Sequence, residues 1–337
     1  MEKELMKTLS EHGRLGIAQQ FDYSKFLLYS LITQSTAIEG STVTEVENQL
    51  LFDEGIPPEK HNLSEVMMNL DLLNAYQMSI QLANQHRDYS FEMLRALSTA
   101  VLKNTGSRYN TTLGTFDSSK GDFRKVNVSA GSSGKSYIIY TKVEDRLKKW
   151  CSEVNEKRNG LLKSGDIYGK YLFTFESHLD LLTIHPWVDG NGRTTRLLMN
   201  IVQRQLGLIP SIVTKDAKGE YIQALIDSRE QEDSTIVQDV MLTQHTTNLE
   251  NRILQYQQSM DDTAKAKSDT VNDTATPKDT TARLIAAIKE HPEYTYDEYA
   301  KLLNVGRATV ARHIKKLNGT VIQRIGSDKD GYWKFIE

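Results

Sequence analysis

The stretch Ile184-His185-Pro186-Trp187-Val188-Asp189-Gly190-Asn191-Gly192-Arg193-Thr194-Thr195-Arg196 gathers a base, a carboxylate, two glycines, an amide and two arginines. Leu197, Leu198, Ile201 and Val202 follow at helical spacing and Gly207 is a natural stop, so a helix is expected from Arg193 to Leu206. Gly190, Asn191 and Gly192 then lie at a helix N-terminus, where unpaired N–H groups and the dipole favour an anion. Arg193 and Arg196 are three apart, share a helix face and can grip successive phosphates. Asp189 is a hard oxygen ligand of the kind that holds Mg²⁺ against phosphate oxygens. Pro186 disfavours helical geometry in the residue before it, so the preceding helix ends at His185. A neutral imidazole there can take a proton from an incoming hydroxyl. Together these parts suit phosphoryl or nucleotidyl transfer, in which positioning and charge neutralisation carry most of the catalysis.

The string from His185 to Arg196 closely resembles the signature of the Fic family of protein adenylyltransferases, His-Pro-Phe-x-Asp/Glu-Gly-Asn-Gly-Arg-x-x-Arg. Trp187 replaces the usual Phe, at an apolar anchor position. The resemblance implies transfer of AMP from ATP, with Mg²⁺, to a Ser, Thr or Tyr hydroxyl of a protein. It implies His185 as the base and Asp189 as the metal ligand. Gly190, Asn191 and Gly192 would line the anion hole, Arg193 and Arg196 would bind the β- and γ-phosphates, and Thr194 would lie among the nucleotide-binding residues. Ser35-Thr36-Ala37-Ile38-Glu39-Gly40 resembles the family's inhibitory motif, Ser/Thr-x-x-x-Glu-Gly/Asn. Ser35 and Glu39 would then act on Arg196, and Glu39 would withhold that donor from the γ-phosphate.

The family's target-aligning flap is resembled by Gly121-Asp122-Phe123-Arg124. Alternation across Phe123 to Val128 predicts a strand, with Ser136 to Thr141 as its partner. Phe123, Arg124, Val126 and Val128 are the candidate docking positions, since backbone pairing aligns many sequences. Ser129 to Ser136 nearly spells a P-loop, but it starts on Ser and runs into β-like Tyr137-Ile138-Ile139-Tyr140, so it reads as a hairpin tip. Tyr221, in Tyr-x-x-Ala-Leu, either touches the adenosine or packs its helix. His61, His86 and His178 lack metal-ligand spacing and read as solvated or core residues.

The elements that must position these residues are mainly helical. Apolar stripes predict helices over Tyr23 to Glu39, Asn62 to Asn84, Glu92 to Leu102, Lys142 to Glu156 and Asp166 to Ile184. The expected fold is a Fic-like helical fold with a small β-hairpin flap and a C-terminal winged helix-turn-helix domain. The expected divisions are 1–105 (with the inhibitory helix at about 23–40), 106–258 (with the flap at about 111–140), a linker at 259–280, and 281–337. The last region, with Arg307, Arg312, Lys315 and Lys316 on one helix and two strands after it, suggests contact with DNA or protein.

The 337 residues carry a net charge of −3, too little for a global field toward nucleic acid or membrane. The lone Cys151 excludes an internal disulfide and fits a reducing compartment. With no apolar leader and no membrane-length run, a cytoplasmic location with no membrane partner is expected. The expected partner is a hydroxyl-bearing protein, this chain included; a homodimer stays open. Alternatives on the same residues are removal of AMP, transfer of UMP, phosphocholine or phosphate, and a nucleotide-sensing DNA-binding regulator.

Overall fold

The computed structural model describes residues 1–129, 136–271, 280–319, 321–326 and 331–336. Among these, helices α1 (Glu2–Arg14), α2 (Tyr23–Ile38), α3 (Glu45–Glu54), α4 (Leu63–Asn84) and α5 (Phe91–Val101) come first. A hairpin of β1 (Arg108–Thr111) and β2 (Gly114–Asp117) follows. Then come α6 (Val143–Leu161), α7 (Ile167–Ile184), α8 (Asn191–Gln205), α9 (Lys218–Gln231) and α10 (Thr235–Val271). The chain divides into a unit of Met1–Gln258 and a unit of Ser259–Glu337. Helix α10 extends to Val271, inside the stretch expected to be a linker.

Local chemistry sets several boundaries. Thr44 and Glu47 form a reciprocal capping box at α3, and the side chains of Asn62, Ser90 and Asp166 cap α4, α5 and α7. One apolar cluster joins α2, α4, α5, α6, α7 and α8, with Leu72, Ala75, Leu94, Leu97, Phe175, Trp187 and Leu197 shielded from solvent. Helix α8 is buried almost all round, so its N-terminal turn is held from several sides.

The strand expected over Phe123 to Val128, with its partner at 136–141, is corrected. This segment is irregular; its backbone meets residues 136–139 through a Ser129–Ser136 bridge and a Tyr137 N–H bond to the Val128 carbonyl at 3.0 Å, and the Arg124 side chain donates to the Ile138 carbonyl. The cause is that two successive side chains turn inward, which a strand forbids. Phe123, half-buried, packs on Phe91 and Trp187, at ring distances of 4.6 and 5.7 Å, while Arg124 is buried. The regular hairpin lies earlier, pairing Arg108 with Asp117 through Thr111 with Gly114. Most of the P-loop-like stretch, at 130–135, lies outside the described residues.

The second unit has helices α11 (Thr280–Glu290), α12 (Tyr296–Leu303) and α13 (Arg307–Leu317), then antiparallel β3 (Ile322–Ile325) and β4 (Tyr332–Phe335). Leu284, Ile288, Tyr299, Val310, Ile314, Ile322 and Trp333 form its core. Asn304, at φ 53°, ends α12. The expected Ser-Asp-Lys-Asp tip falls at 327–330, outside the described residues. Among the described residues no helix is long and apolar enough to cross a membrane.

Two core histidines make the fold acid-sensitive. His178 accepts or donates a 2.7 Å bond with the Tyr221 hydroxyl, and His245 packs on Tyr171 at 4.5 Å. Burial, aided by nearby Arg196, pushes His178 down to about 3; burial, with Arg252 and His12, does the same to His245. Both stay neutral when folded but gain a proton near pH 6.5 when unfolded. The stability they leave intact above pH 6.5 is therefore lost as pH falls from 6.5 toward 3. The slope for two such groups is about 3 kcal/mol per pH unit. The urea midpoint is expected to fall steeply below pH 6, and His245→Leu to make that slope shallower by about one proton's worth, about 1.4 kcal/mol per pH unit. An unchanged slope in His245→Leu would refute the assignment.

Candidate active site

Helices α7 and α8 bracket the site. His185 follows α7 with φ 51°, a left-handed conformation that costs a non-glycine residue about 1–2 kcal/mol. Its backbone is held from outside. The Arg124 side chain donates to the carbonyls of His185 at 2.8 Å, Val126 at 2.8 Å and Ile138 at 2.5 Å, and the Arg124 N–H donates to Pro186 at 3.0 Å. Burial drives the imidazole down to about 4, with the Arg124 and Arg229 charges adding to it and a Leu182 backbone bond opposing it. His185 is therefore neutral at pH 7, the state a proton acceptor needs. Its Nδ1 is sealed from solvent, which leaves Nε2 as the candidate nitrogen for an incoming proton.

The loop between the helices is anchored at both ends. Trp187 is wholly buried, and its indole N–H donates to Gly121 at 3.3 Å. Asn191 accepts from the Trp187 N–H at 3.1 Å and donates to the Trp187 carbonyl at 2.8 Å. Gly190 turns the chain at φ 74°, where a Cβ would also press on Leu102. Asp189 accepts from the Gly190 N–H at 2.6 Å and its side chain is about half exposed.

Arg193 is buried with its hydrogen-bonding capacity largely unmet. It is 3 % exposed, yet its Nε and Nη1 have no hydrogen-bond partner. Its contact with Asp189 is 3.8 Å, too long for a hydrogen bond. Buried unpaired guanidinium nitrogens at a helix N-terminus are costly unless a ligand meets them. Thr194 Oγ1 is likewise buried and unpartnered.

Arg196, by contrast, is engaged. It donates to Ser35 Oγ and to the Ser35 carbonyl, each at 2.9 Å, and to Glu39 Oε1 at 2.7 Å. Burial raises the Glu39 carboxyl, but Arg196, then Arg193 and Lys218, outweigh it and hold it below the usual range. Glu39 also occupies the space over Gly192: a Cβ there would overlap its Oε1 and stand 2.9 Å from Arg196 Nη1. The α2 end that carries Glu39 is held by a buried polar network. Thr36 donates to Asn69 Oδ1 at 2.8 Å, Asn48 donates to the same atom at 2.9 Å, and Asn69 donates to Ser41 at 3.1 Å.

The structure thus brings together His185, Asp189, Gly190, Asn191, Gly192, Arg193, Thr194, Arg196, Ser35 and Glu39. Tyr221 is buried against His178 and Arg196, an arrangement that accords with the packing reading. Phe123 and Arg124 point inward, and Val126 and Val128 lie half-buried in the irregular segment. Sequence reasoning missed Tyr137, which stacks on His185 at 3.9 Å and 17°, and Arg229, whose guanidinium lies 4.4 Å from the Tyr137 ring. No spacing signal could have found either. The Asn48–Asn69 network was also missed.

Residues 88–203 match the model of the Fic/DOC family. The chain is 22 % identical over 202 residues to a protein named protein adenylyltransferase fic-1 from Caenorhabditis briggsae, covering 59 % of this chain and 36 % of that one. It is 25 % identical over 200 residues to protein adenylyltransferase Fic from Drosophila grimshawi, covering 58 % and 36 %. The chain thus spans about a third of the length of these relatives. Among solved structures, a Fic-domain-containing signaling protein from Bacteroides thetaiotaomicron matches with a TM-score of 0.63 at 16 % identity, over 75 % of this chain and 98 % of that one. A Fic family protein from Desulfovibrio desulfuricans G20 matches with a TM-score of 0.55 at 15 % identity, over 99 % and 96 %.

Proposed function

We propose that the Fic/DOC domain of this chain makes it a protein adenylyltransferase that moves AMP from ATP to a Ser, Thr or Tyr hydroxyl, with Glu39 restraining it. The observation that carries the reading is Arg193: two buried guanidinium nitrogens without partners, at a helix N-terminus, one short loop from a neutral imidazole. The names of the relatives support the donor and the transferred group.

In the reaction the acceptor oxygen attacks the α-phosphorus and its proton passes to Nε2 of His185. The bond from the α-phosphorus to the oxygen bridging the β-phosphorus breaks, and pyrophosphate leaves. Gly190, Asn191 and Gly192 offer backbone N–H groups, and Arg193 and Arg196 the charge, for the departing phosphates. Asp189 would hold Mg²⁺, which would neutralise phosphate charge; a single protein carboxylate suits an ion that takes its other ligands from phosphate and water. Residues 281–337 fit a winged helix by order of elements, three helices and then a hairpin.

ATP labelled at the α-phosphate and ATP labelled at the γ-phosphate decide the chemistry. With Mg²⁺ and the Glu39→Gly protein, the α-label is expected to enter protein and the γ-label is not. Incorporation of the γ-label would show phosphate transfer; incorporation of neither would refute the reading.

A further inference from the structure

We propose that Arg124 and Tyr137 are positioning residues of the transfer reaction: Arg124 locks the backbone of His185 in its left-handed turn, and Tyr137 fixes and shields the imidazole. The proposal rests on the transfer reading above, and its test separates the two.

Three observations carry it. First, Arg124 is 2 % exposed and has no carboxylate partner among its hydrogen bonds. Every nitrogen of its fork goes to a backbone carbonyl, of His185, Val126 and Ile138, with the Ile184 carbonyl 3.5 Å away. A buried guanidinium is costly, and here it is used to satisfy carbonyls released where α7 ends. Second, those carbonyls belong to two segments. Ile184 and His185 end the catalytic helix, while Val126 and Ile138 flank the connection that delivers Tyr137. One side chain therefore sets both the base and the residue that covers it. Third, the Tyr137 ring lies flat on the imidazole, 3.9 Å between centroids, and the Arg229 guanidinium from α9 lies 4.4 Å from the Tyr137 ring. The order imidazole, phenol, guanidinium spans three separate segments.

The consequence is geometric and electrostatic. A ring packed flat against another is hindered from turning about its χ2 bond, so the stack holds the imidazole plane and with it the line along which Nε2 points. The stacked face is also closed to water, which disfavours the imidazolium. The charged and titratable groups that face the imidazole are Arg124 from the preceding segment and Arg229 from α9, with Tyr137 itself between; both cations also disfavour protonation. Stacking is supplied by the ring and not by the hydroxyl, so Tyr137→Phe should keep the device and Tyr137→Ala should lose it.

The test uses the full chain carrying Glu39→Gly, alone and combined with Tyr137→Phe, Tyr137→Ala or Arg124→Lys. The His185 ring nitrogens are followed by NMR during a pH titration, and kcat and the KM for ATP are measured. Tyr137→Ala is expected to raise the His185 midpoint by about one pH unit and to lower kcat about tenfold with KM for ATP unchanged. Tyr137→Phe is expected to behave as the parent. Arg124→Lys, which keeps the charge but not the fork, should lower kcat in the same way. Because Arg124→Lys could also impair folding, Tyr137→Ala is the deciding variant. A His185 midpoint unmoved in Tyr137→Ala would overturn the proposal whatever the activity. A moved midpoint in a protein whose parent transfers nothing would support the clamp and overturn the adenylyltransferase reading instead.

Discussion

His185→Ala is expected to lower AMP transfer by about two to four orders of magnitude, the range for a lost general base. The imidazole is neutral because burial, reinforced by Arg124 and Arg229, brings it to about 4. Its Nδ1 is sealed, so the only proton acceptor it offers is Nε2. No other described side chain at the helix end can take its place: Asp189 is tied to the Gly190 N–H and sits beside Arg193. The loss should fall on kcat and leave ATP affinity close to the parent's, since Arg193 and the α8 N-terminus are untouched. In the parent the rate should be flat above about pH 5 with respect to this group and fall as pH drops through about 4, where the base becomes protonated. Single-turnover transfer in a Glu39→Gly background checks both statements. An alanine variant that retains rates within a few-fold of the parent would remove the base assignment.

The candidate loop was legible because its parts are contiguous. A base before Pro186, a carboxylate, a turn and two arginines at helical spacing are all local in sequence, and local geometry places them. Ser35 and Glu39 were legible for a similar reason, one helix end. What failed was what depends on distant neighbours. The alternation of Phe123 to Val128 has the period of a strand, yet Phe123 finds Phe91 and Trp187 while Arg124 finds the end of α7, and both face inward. Tyr221 was open between a ligand contact and a packing residue, and its bond to His178 at 2.7 Å in the core depends on a helix far away in sequence. Tyr137 lies 48 positions before His185 in a Gly- and Ser-rich stretch, and nothing in its surroundings announces a stack (185 − 137 = 48). The hairpin at Arg108–Asp117 was passed over because its strands are only four residues each and largely exposed, leaving little hydrophobic pattern to read.

Glu39→Gly should raise AMP transfer by about tenfold to 150-fold. That range follows from the contact that is lost. Arg196 is buried and spends one N–H on Glu39 at 2.7 Å, and a hydrogen bond between charged groups is worth about 1.5–3 kcal/mol. Removing the carboxylate returns that donor to an incoming phosphate and also clears the volume over Gly192 that Glu39 Oε1 fills. The two effects separate by substitution. Glu39→Gln keeps the volume and loses the charge, so it should recover only part of the gain. Stability should fall, because Arg196 is left buried with only its Ser35 partners; the loss is limited because the carboxylate opposes the dipole of the helix it ends and the Asn48–Asn69 network still holds the α2 end. The bond weakens with acid in a definite sense. The folded-state carboxyl lies below its ordinary value, so the pairing is complete at neutral pH and breaks only as pH falls through that lowered range. The proposed restraint should therefore be constant across the neutral region, with relief expected from a competing ligand or a shift of the α2 end rather than from pH. Initial rates of α-label incorporation for the parent, Glu39→Gln and Glu39→Gly would show the order; equal rates in all three would end the claim of restraint.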